Sequence, residues 1–483
     1  MIALRDDDIW VGIDVGTQSA RVFAVTAGGE VAGSSAVALC GRRDEPRHEQ
    51  DPRDWWQAAA GASRAALAGV APERVRGVAT CATSGTILLV DADGEPLTAG
   101  LMYDDGRAGE QAARLGEQMS PSWGLPKLLW MLDEWPQLAQ GARLAHQADV
   151  VTRALAGGAV ASDSSHALKS GYDQEREAWP SLDLPDGLLP EVVRSGSLLG
   201  EVCERAAGET GIPAGTPIVA GMTDGCAAQL AAGALREGDW NSVLGTTLVL
   251  KGYSARRVDD PGGVMYSHRA PDGGWLPGGA SSSGAGVLSA QFDGRDLDEL
   301  GRRAAAYEDT SVLAYPLVSR GERFPFAAPD AEAFTVGEPA DEAERFAALL
   351  QGVAFVERLC LDYVGLLGAP TGGRLMLTGG ATRSSAWCEL RADVLGRPVR
   401  LVEQSEAAFG MAVLAASASR GGGLATAAHA MVRTRELIEP RPQRAASLLE
   451  NYTRFVGELE RRGWLASPLA RHARERAAGV SGL

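Results

Sequence analysis

The chain is poor in cysteine. Its six thiols (Cys40, Cys81, Cys203, Cys226, Cys360 and Cys388) are scattered through 483 residues with no C-x-x-C pair. A disulfide framework is therefore not expected, nor a cysteine metal site, and buried free thiols in a reducing cytoplasm are the default. The chain also lacks any uncharged apolar run of the roughly 18 residues that a membrane helix needs. Its first residues, MIALRDDD, carry neither the basic start nor the apolar core of a secretory signal. Positive charge is in deficit: 46 Lys and Arg face 62 Asp and Glu, a net charge of −16, which argues against a nucleic-acid surface. The basic residues are nearly all Arg, a compositional bias and not a binding signal. Apolar content is ordinary, at 45%. A chain of 483 residues is too long for one core and fits two large domains.

The stretch on which the rest is organised runs from Ile9 to Val25, IWVGIDVGTQSARVFAV. An apolar strand ends at Asp14, a small polar turn follows with Gly16 and Thr17, and an alternating run resumes at Arg21, the pattern of a β-hairpin. Gly16 lets the backbone come close to a ligand with no Cβ in the way. The amides and hydroxyls of Gly16 to Arg21 suit phosphate oxygens, and Asp14, at the end of a buried strand, suits a hydrated divalent cation. Taken alone, the same stretch also reads as an ordinary hairpin with an acidic turn.

The motif returns. Asn241 to Lys251, NSVLGTTLVLK, is again strand, Gly245-Thr246-Thr247, strand. Before it stands Gly221-Met222-Thr223-Asp224-Gly225, an acid among small residues, and later Leu377-Thr378-Gly379-Gly380-Ala381 closes another apolar strand with a glycine turn. Two such hairpins, a lone acid and a late Gly-Gly turn suggest two similar lobes gripping a nucleotide. The set resembles the actin-like ATPase superfamily and, within it, the FGGY carbohydrate kinases. The resemblance covers roughly residues 10 to 418, and the order and spacing of the motifs carry it.

Between these landmarks, residues 41–54 read as a charged loop ending in HEQDP, after which Trp55 and Trp56 open an Ala-rich helix as core residues. Strands are expected at 75–80 and 87–91, with Asp93-Gly94 as a turn. Lys127-Leu128-Leu129-Trp130 resembles a structural segment of the family, and His166 reads as a hydrogen-bonded structural histidine. Gly278 to Gly284 either lines the nucleotide cleft or is a plain linker. Residues 347–367 have helical spacing. Glu406 to Ala412 resembles the helix that returns towards the interdomain hinge.

The resemblance implies an α/β fold of two actin-like (ribonuclease H-like) ATPase domains with an interdomain cleft. The expected division is residues 1–235 for sugar and phosphate, 236–440 for the nucleotide, and a helical extension over 441–483. It further implies ATP and Mg²⁺ as cofactors, a small sugar as partner, no nucleic acid, no membrane, a cytoplasmic enzyme, and a monomer or homodimer. Asp224 matches the catalytic acid that accepts the attacking hydroxyl's proton, and it also suits a helix N-cap. Asp14 is expected on the metal. Around the sugar the expectation places Asp14, Gln18, Ser19, Ala20, Arg21, Ser84, Asp105 and Asp224; Asp105 either bonds sugar hydroxyls or caps the following helix. Around the nucleotide it places Thr17, Gly245, Thr246, Thr247, Gly379, Gly380, Ala381, Ser384 and Trp387, with Trp387 flanking the base or packing the core.

Xylulose kinases carry a Met-His pair where this chain has Ser84-Gly85. The wording TSGTILL, SHALKSGYD, PLVSRGERFP and EAAFGMA is similar to D-ribulose kinases of cyanobacteria and plants. The expected reaction is phosphorylation of D-ribulose to D-ribulose 5-phosphate, with D-xylulose or another ketose or polyol as the alternative. An actin-like assembly ATPase and a non-catalytic sugar sensor are the readings outside the kinase class.

Overall fold

The computed structural model describes residues 5–116, 119–308, 310–419 and 423–480. It forms two units: one holds the chain up to Gly233 with His268–Gly273 and Gln404–Arg433, the other Ala234–Ser267, Gly274–Glu403 and the chain from Thr434 on. The units are therefore not cut at 235 and 440 alone. The helix Ala407–Ser419 belongs to the first unit, and the stretch after 440 belongs to the second.

In the first unit a six-stranded sheet runs in the order Leu198–Glu201, Pro217–Val219, Val75–Ala82, Ile9–Val15, Ser19–Thr26, Val31–Ala38. Ile9–Val15 is buried at every position, as a strand covered on both faces must be. It pairs antiparallel with Ser19–Thr26 and parallel with Val75–Ala82, which pairs parallel with Pro217–Val219. Three neighbouring parallel strands thus end on one edge, the position at which open α/β sheets bind ligands. The helix Ala407–Ser419 lies against the middle of this sheet: a Cβ on Gly12 would stand 1.7 Å from the Ala408 carbonyl oxygen.

Residues 42–50, expected as loop, form instead the short hairpin Arg42–Asp44 and Arg47–Gln50 in a five-stranded sheet with Gly100–Leu101, Ile87–Val90 and Arg143–His146. Its register pairs Arg43 with His48, and backbone bonds to 100–101 hold it despite a sequence that offers no apolar alternation.

The second unit repeats the plan. Six strands follow one another in the order Trp275–Ala280, Leu248–Gly252, Trp240–Leu244, Leu375–Thr378, Val399–Val402, Thr434–Ile438. The hairpin Trp240–Leu244/Leu248–Gly252 is again antiparallel, and its first strand again pairs parallel with a later one, Leu375–Thr378. The 25-residue helix Glu342–Leu366 is capped by Asp341, whose carboxylate accepts from Ala343 N and Glu344 N. The expected helical extension is present as Pro442–Arg461 and Ser467–Val480, but it is built into the core: Leu448, Tyr452, Phe455 and Leu459 are buried in the same apolar cluster as Phe355 and Leu359.

All six cysteines are free, and four are buried; Cys40 is exposed and Cys203 half-buried, so the expectation of buried thiols fails at those two. Among the described residues no helix is long and apolar enough to cross a membrane.

Candidate active site

The first unit places Asp14 one residue before the end of Ile9–Val15, level with Arg21 on one neighbouring strand and Cys81 on the other. The Cys81 Sγ lies 3.5 Å from Asp14 Oδ1 and donates to it. Asp14 is 8% exposed. Burial, and then the negative charge of Asp224, push its carboxyl up to about 7, against the Cys81 hydrogen bond and the Arg21 charge. A carboxyl raised by burial and by a neighbouring acid marks a place that a cation relieves. Among the described residues no group of three or more His, Cys, Asp and Glu gathers.

The turn beyond Asp14 is tight. Gly16 N donates to Ser19 O at 3.0 Å, Leu39 N to Gln18 O at 2.8 Å, and Gln50 Nε2 to Thr17 O at 2.7 Å. Gln50 is held in turn by Trp55 Nε1, which donates to its Oε1 at 2.7 Å. The HEQDP…WW stretch thus ties the turn to the first long helix. Asp14, Gly16, Thr17, Gln18, Ser19 and Arg21 line a cavity of about 520 Å³ together with Arg43, His48, Tyr103 and Asp104. Ala20 does not reach it: its methyl is fully buried in the core, as alternation on the strand requires.

Asp105 is likewise turned away. It is fully buried, accepts from His48 N at 2.7 Å and from the Arg107 guanidinium at 2.6 Å, and neither faces the cavity nor caps the next helix, whose N-cap is Ala108. Its neighbour Asp104 takes the cavity position, bonded to His48 Nδ1 at 2.7 Å and to Arg43. Arg43, His48, Tyr103 and Asp104 escaped the sequence reading because the hairpin that presents Arg43 and His48 carries no hydrophobic signal. The sequence offers two adjacent acids, Asp104 and Asp105, and local pattern does not show which of them faces the cavity.

At the carboxyl end of Val75–Ala82 the chain turns through Ser84 and Gly85, the latter at φ 94°. Lys127, fully buried, donates to Gly85 O at 2.5 Å and Met102 O at 2.8 Å, and Lys169 donates to Ser84 O. Burial lowers the Lys127 ammonium to about 7, against the attraction of Asp105. The Ser84 hydroxyl is buried and has no hydrogen-bond partner among the described residues. Beside it a parallel bridge joins Ala82 to Thr223, so Asp224 follows at the end of the third strand. Asp224 is the first residue of the helix Asp224–Ala231; Thr223 occupies the N-cap, and Asp224 Oδ1 accepts from Gly225 N at 2.7 Å. His166 has the structural role expected of it: Nδ1 meets Asp163 at 2.6 Å and Nε2 meets Ala82 O at 3.2 Å.

In the second unit the turn Gly245-Thr246-Thr247 is closed by Gly245 N to Thr247 O, 3.1 Å. Thr246 is exposed and Thr247 half-buried. Gly379, at φ 86°, ends Leu375–Thr378 beside this hairpin: a Cβ there would stand 2.6 Å from Leu244 O. Gly380 and Ser384 are exposed, and Ser384 Oγ caps the helix Ser385–Leu395 by accepting from Trp387 N. Trp387 itself packs the core, 4% exposed, with Nε1 donating to Leu350 O at 3.2 Å, and Ala381 is 9% exposed in the same cluster. Of the residues expected around the nucleotide between 379 and 387, Gly379, Gly380 and Ser384 keep open surface. Residues 281–284 are no linker; they back the Gly245 turn.

Two halves of one family are found in order along this chain: the N-terminal domain of the FGGY family of carbohydrate kinases matches residues 9–231 and the C-terminal domain residues 241–419. A xylulose kinase of Streptomyces coelicolor is 30% identical over 449 residues, 86% of this chain and 89% of that one. An L-xylulose/3-keto-L-gulonate kinase of Escherichia coli is 26% identical over 444 residues, covering 85% and 88%. The solved xylulose kinase of Rhodospirillum rubrum superposes with a TM-score of 0.83 at 25% identity, over 93% of this chain and 98% of that one. With both domains matched and acids standing at the strand ends of the first, this protein belongs to the FGGY family of carbohydrate kinases and is a sugar phosphotransferase.

Proposed function

We propose that the enzyme transfers the terminal phosphoryl group of MgATP to the terminal hydroxyl of a pentulose, and that the pentulose is D-ribulose. The observation that carries the reading is the convergence of Asp14, the Ser84 turn and Asp224 at the ends of three adjacent parallel strands. In this reading Asp224 accepts the proton of the attacking hydroxyl, and Asp14 holds the hydrated metal. Magnesium, when bound, neutralises charge on the phosphates. The turn at Thr246 and Thr247, exposed at the first and half-buried at the second, offers its hydroxyls to those phosphates, and Gly379 and Gly380 leave room for the flat base.

The choice of sugar rests on Ser84-Gly85. A buried hydroxyl without a partner is costly until something bonds it, and a substrate hydroxyl is suited to do so. Gly85, at φ 94°, holds a backbone conformation that a histidine in its place would strain. A Met-His pair of the xylulose-kinase kind therefore does not fit this turn without rebuilding it. The relatives named xylulose kinases favour xylulose as the second reading.

The test is kcat/KM on both pentuloses at saturating MgATP in a coupled assay. One lost hydrogen bond to an epimeric hydroxyl is worth about tenfold to a hundredfold, so D-ribulose is expected to lead by that factor. Equal values or a lead for D-xylulose would remove the ribulose assignment, and no turnover of either would remove the pentulose.

A further inference from the structure

We propose that Glu322, which bonds the serine segment 281–283 behind the Gly245–Thr247 turn, is the positioning residue of that turn. Its carboxylate is 3% exposed. Oε1 accepts from Ser282 N at 2.6 Å and Arg323 N at 2.9 Å, and Oε2 from Ser283 Oγ at 3.0 Å and Tyr315 OH at 2.8 Å. Ser281 Oγ donates to both oxygens at 3.1 Å. Every donor in this set is neutral. Burying a carboxylate without a cation is expensive, and only short, charge-assisted bonds from several directions offset it. The arrangement fixes three consecutive serines in one conformation, whereas an apolar side chain would fill the same space and fix none of them.

The other face of this serine segment grips the turn. Leu248 N donates to Ser283 O at 2.8 Å, Ser281 N to Leu248 O at 2.9 Å, Ala285 N to Gly245 O at 2.9 Å and Gly286 N to Thr246 O at 3.0 Å. Gly284 lies in backbone contact with it: a Cβ there would stand 2.4 Å from Thr246 O and 2.5 Å from Thr247 Cα. A shift of the serines therefore moves Thr246 and Thr247 with no side chain between to absorb it. Glu322 acts on the turn through this segment and meets no substrate itself.

The inference rests on the reading that the turn holds the phosphates of MgATP, and the experiment separates the two. Steady-state KM for MgATP and for the pentulose, and the affinity for MgADP by calorimetry, are measured for Thr246→Ala, Glu322→Gln, Ser283→Ala and Tyr315→Phe, each with its thermal midpoint. Glu322→Gln keeps the shape but removes the charge that strengthens every bond of the set, its N–H₂ turned to the side where the Ser283 and Tyr315 hydroxyls accept. It is expected to raise KM for MgATP and weaken MgADP by about tenfold, the weight of one charge-assisted bond, with KM for the sugar unchanged. Ser283→Ala, a milder change that keeps the fold, follows in the same direction. Tyr315→Phe removes a bond to the same carboxylate from outside the serine segment; it lowers the thermal midpoint and leaves KM for MgATP as it was. An unchanged KM for MgATP in Glu322→Gln and Ser283→Ala, with Thr246→Ala impaired, would overturn the role of Glu322 alone. An unimpaired Thr246→Ala would overturn the phosphate turn and the inference with it. A rise in Tyr315→Phe equal to that in Glu322→Gln would reduce Glu322 to a stability residue.

Discussion

In the proposed reaction Asp14 and Asp224 have different roles, and one substitution separates them from the fold. Asp224→Asn keeps the shape of the first turn of its helix and removes the proton acceptor. A fall in kcat of about 10²–10⁴ is expected, the span of general-base catalysis, with MgADP affinity within about twofold of the parent. Near-parent turnover would remove Asp224 from the reaction. Asp14 is tested by pH. Its carboxyl titrates near 7 in the folded chain, above its ordinary 3.8. Between those values the folded chain holds a proton that the unfolded chain has lost, so stability falls as pH rises through that window and stays low above it. The displacement corresponds to at most about 4 kcal/mol. Asp14→Asn without ligand is therefore expected to melt above the parent at pH 8 and level with it at pH 4. Parallel melting curves across pH would show that Asp14 titrates normally. At this scale residue type was legible and direction was not: Asp14 and Ser84 stand where the sequence suggested, while Ala20, Asp105, Ala381 and Trp387 face inward.

At the scale of elements, the first sheet depends on how closely the helix Ala407–Ser419 approaches it. Gly12 meets the Ala408 carbonyl and the Ala412 amide, both backbone atoms with no freedom to yield. Gly12→Ala is expected to cost about 3 kcal/mol in urea unfolding. Gly69→Ala, with nothing within 4 Å of the added methyl, serves as the neutral comparison. If the two variants unfold alike, the strand and helix are not in the contact described. The strands themselves were legible because period and turn chemistry are local: Asp14-Val15-Gly16-Thr17 and Leu244-Gly245-Thr246 announce their hairpins. The hairpin Arg42–Asp44/Arg47–Gln50 was not, because its stability comes from pairing with residues fifty positions away.

At the scale of the molecule, the last forty residues have a structural duty. Leu448, Leu449, Tyr452, Phe455, Val456 and Leu459 are buried against the helix Glu342–Leu366 and its neighbours, and Tyr452 OH donates to Asp362 at 2.5 Å. Each such side chain contributes about 1.5–3 kcal/mol, and together they rival the roughly 5–15 kcal/mol that holds a domain folded. Deleting residues 441–483 is expected to leave no soluble protein with a cooperative melt. A soluble truncated chain with parent MgATP affinity would make these helices a dispensable appendage.

The sequence by itself determined the family, the two repeated hairpins and the positions of Asp14 and Asp224, because each is written in a few consecutive residues whose chemistry leaves little choice. Tertiary structure alone decided which of Asp104 and Asp105 faces the cavity, that Trp387 is core, and that Gln404–Arg433 joins the first unit. These depend on where a side chain's partner lies: Arg107 and His48 for Asp105, the Leu350 carbonyl for Trp387, and Gly12 for the helix at 408. Such partners stand up to several hundred residues off, and local periodicity holds no record of them.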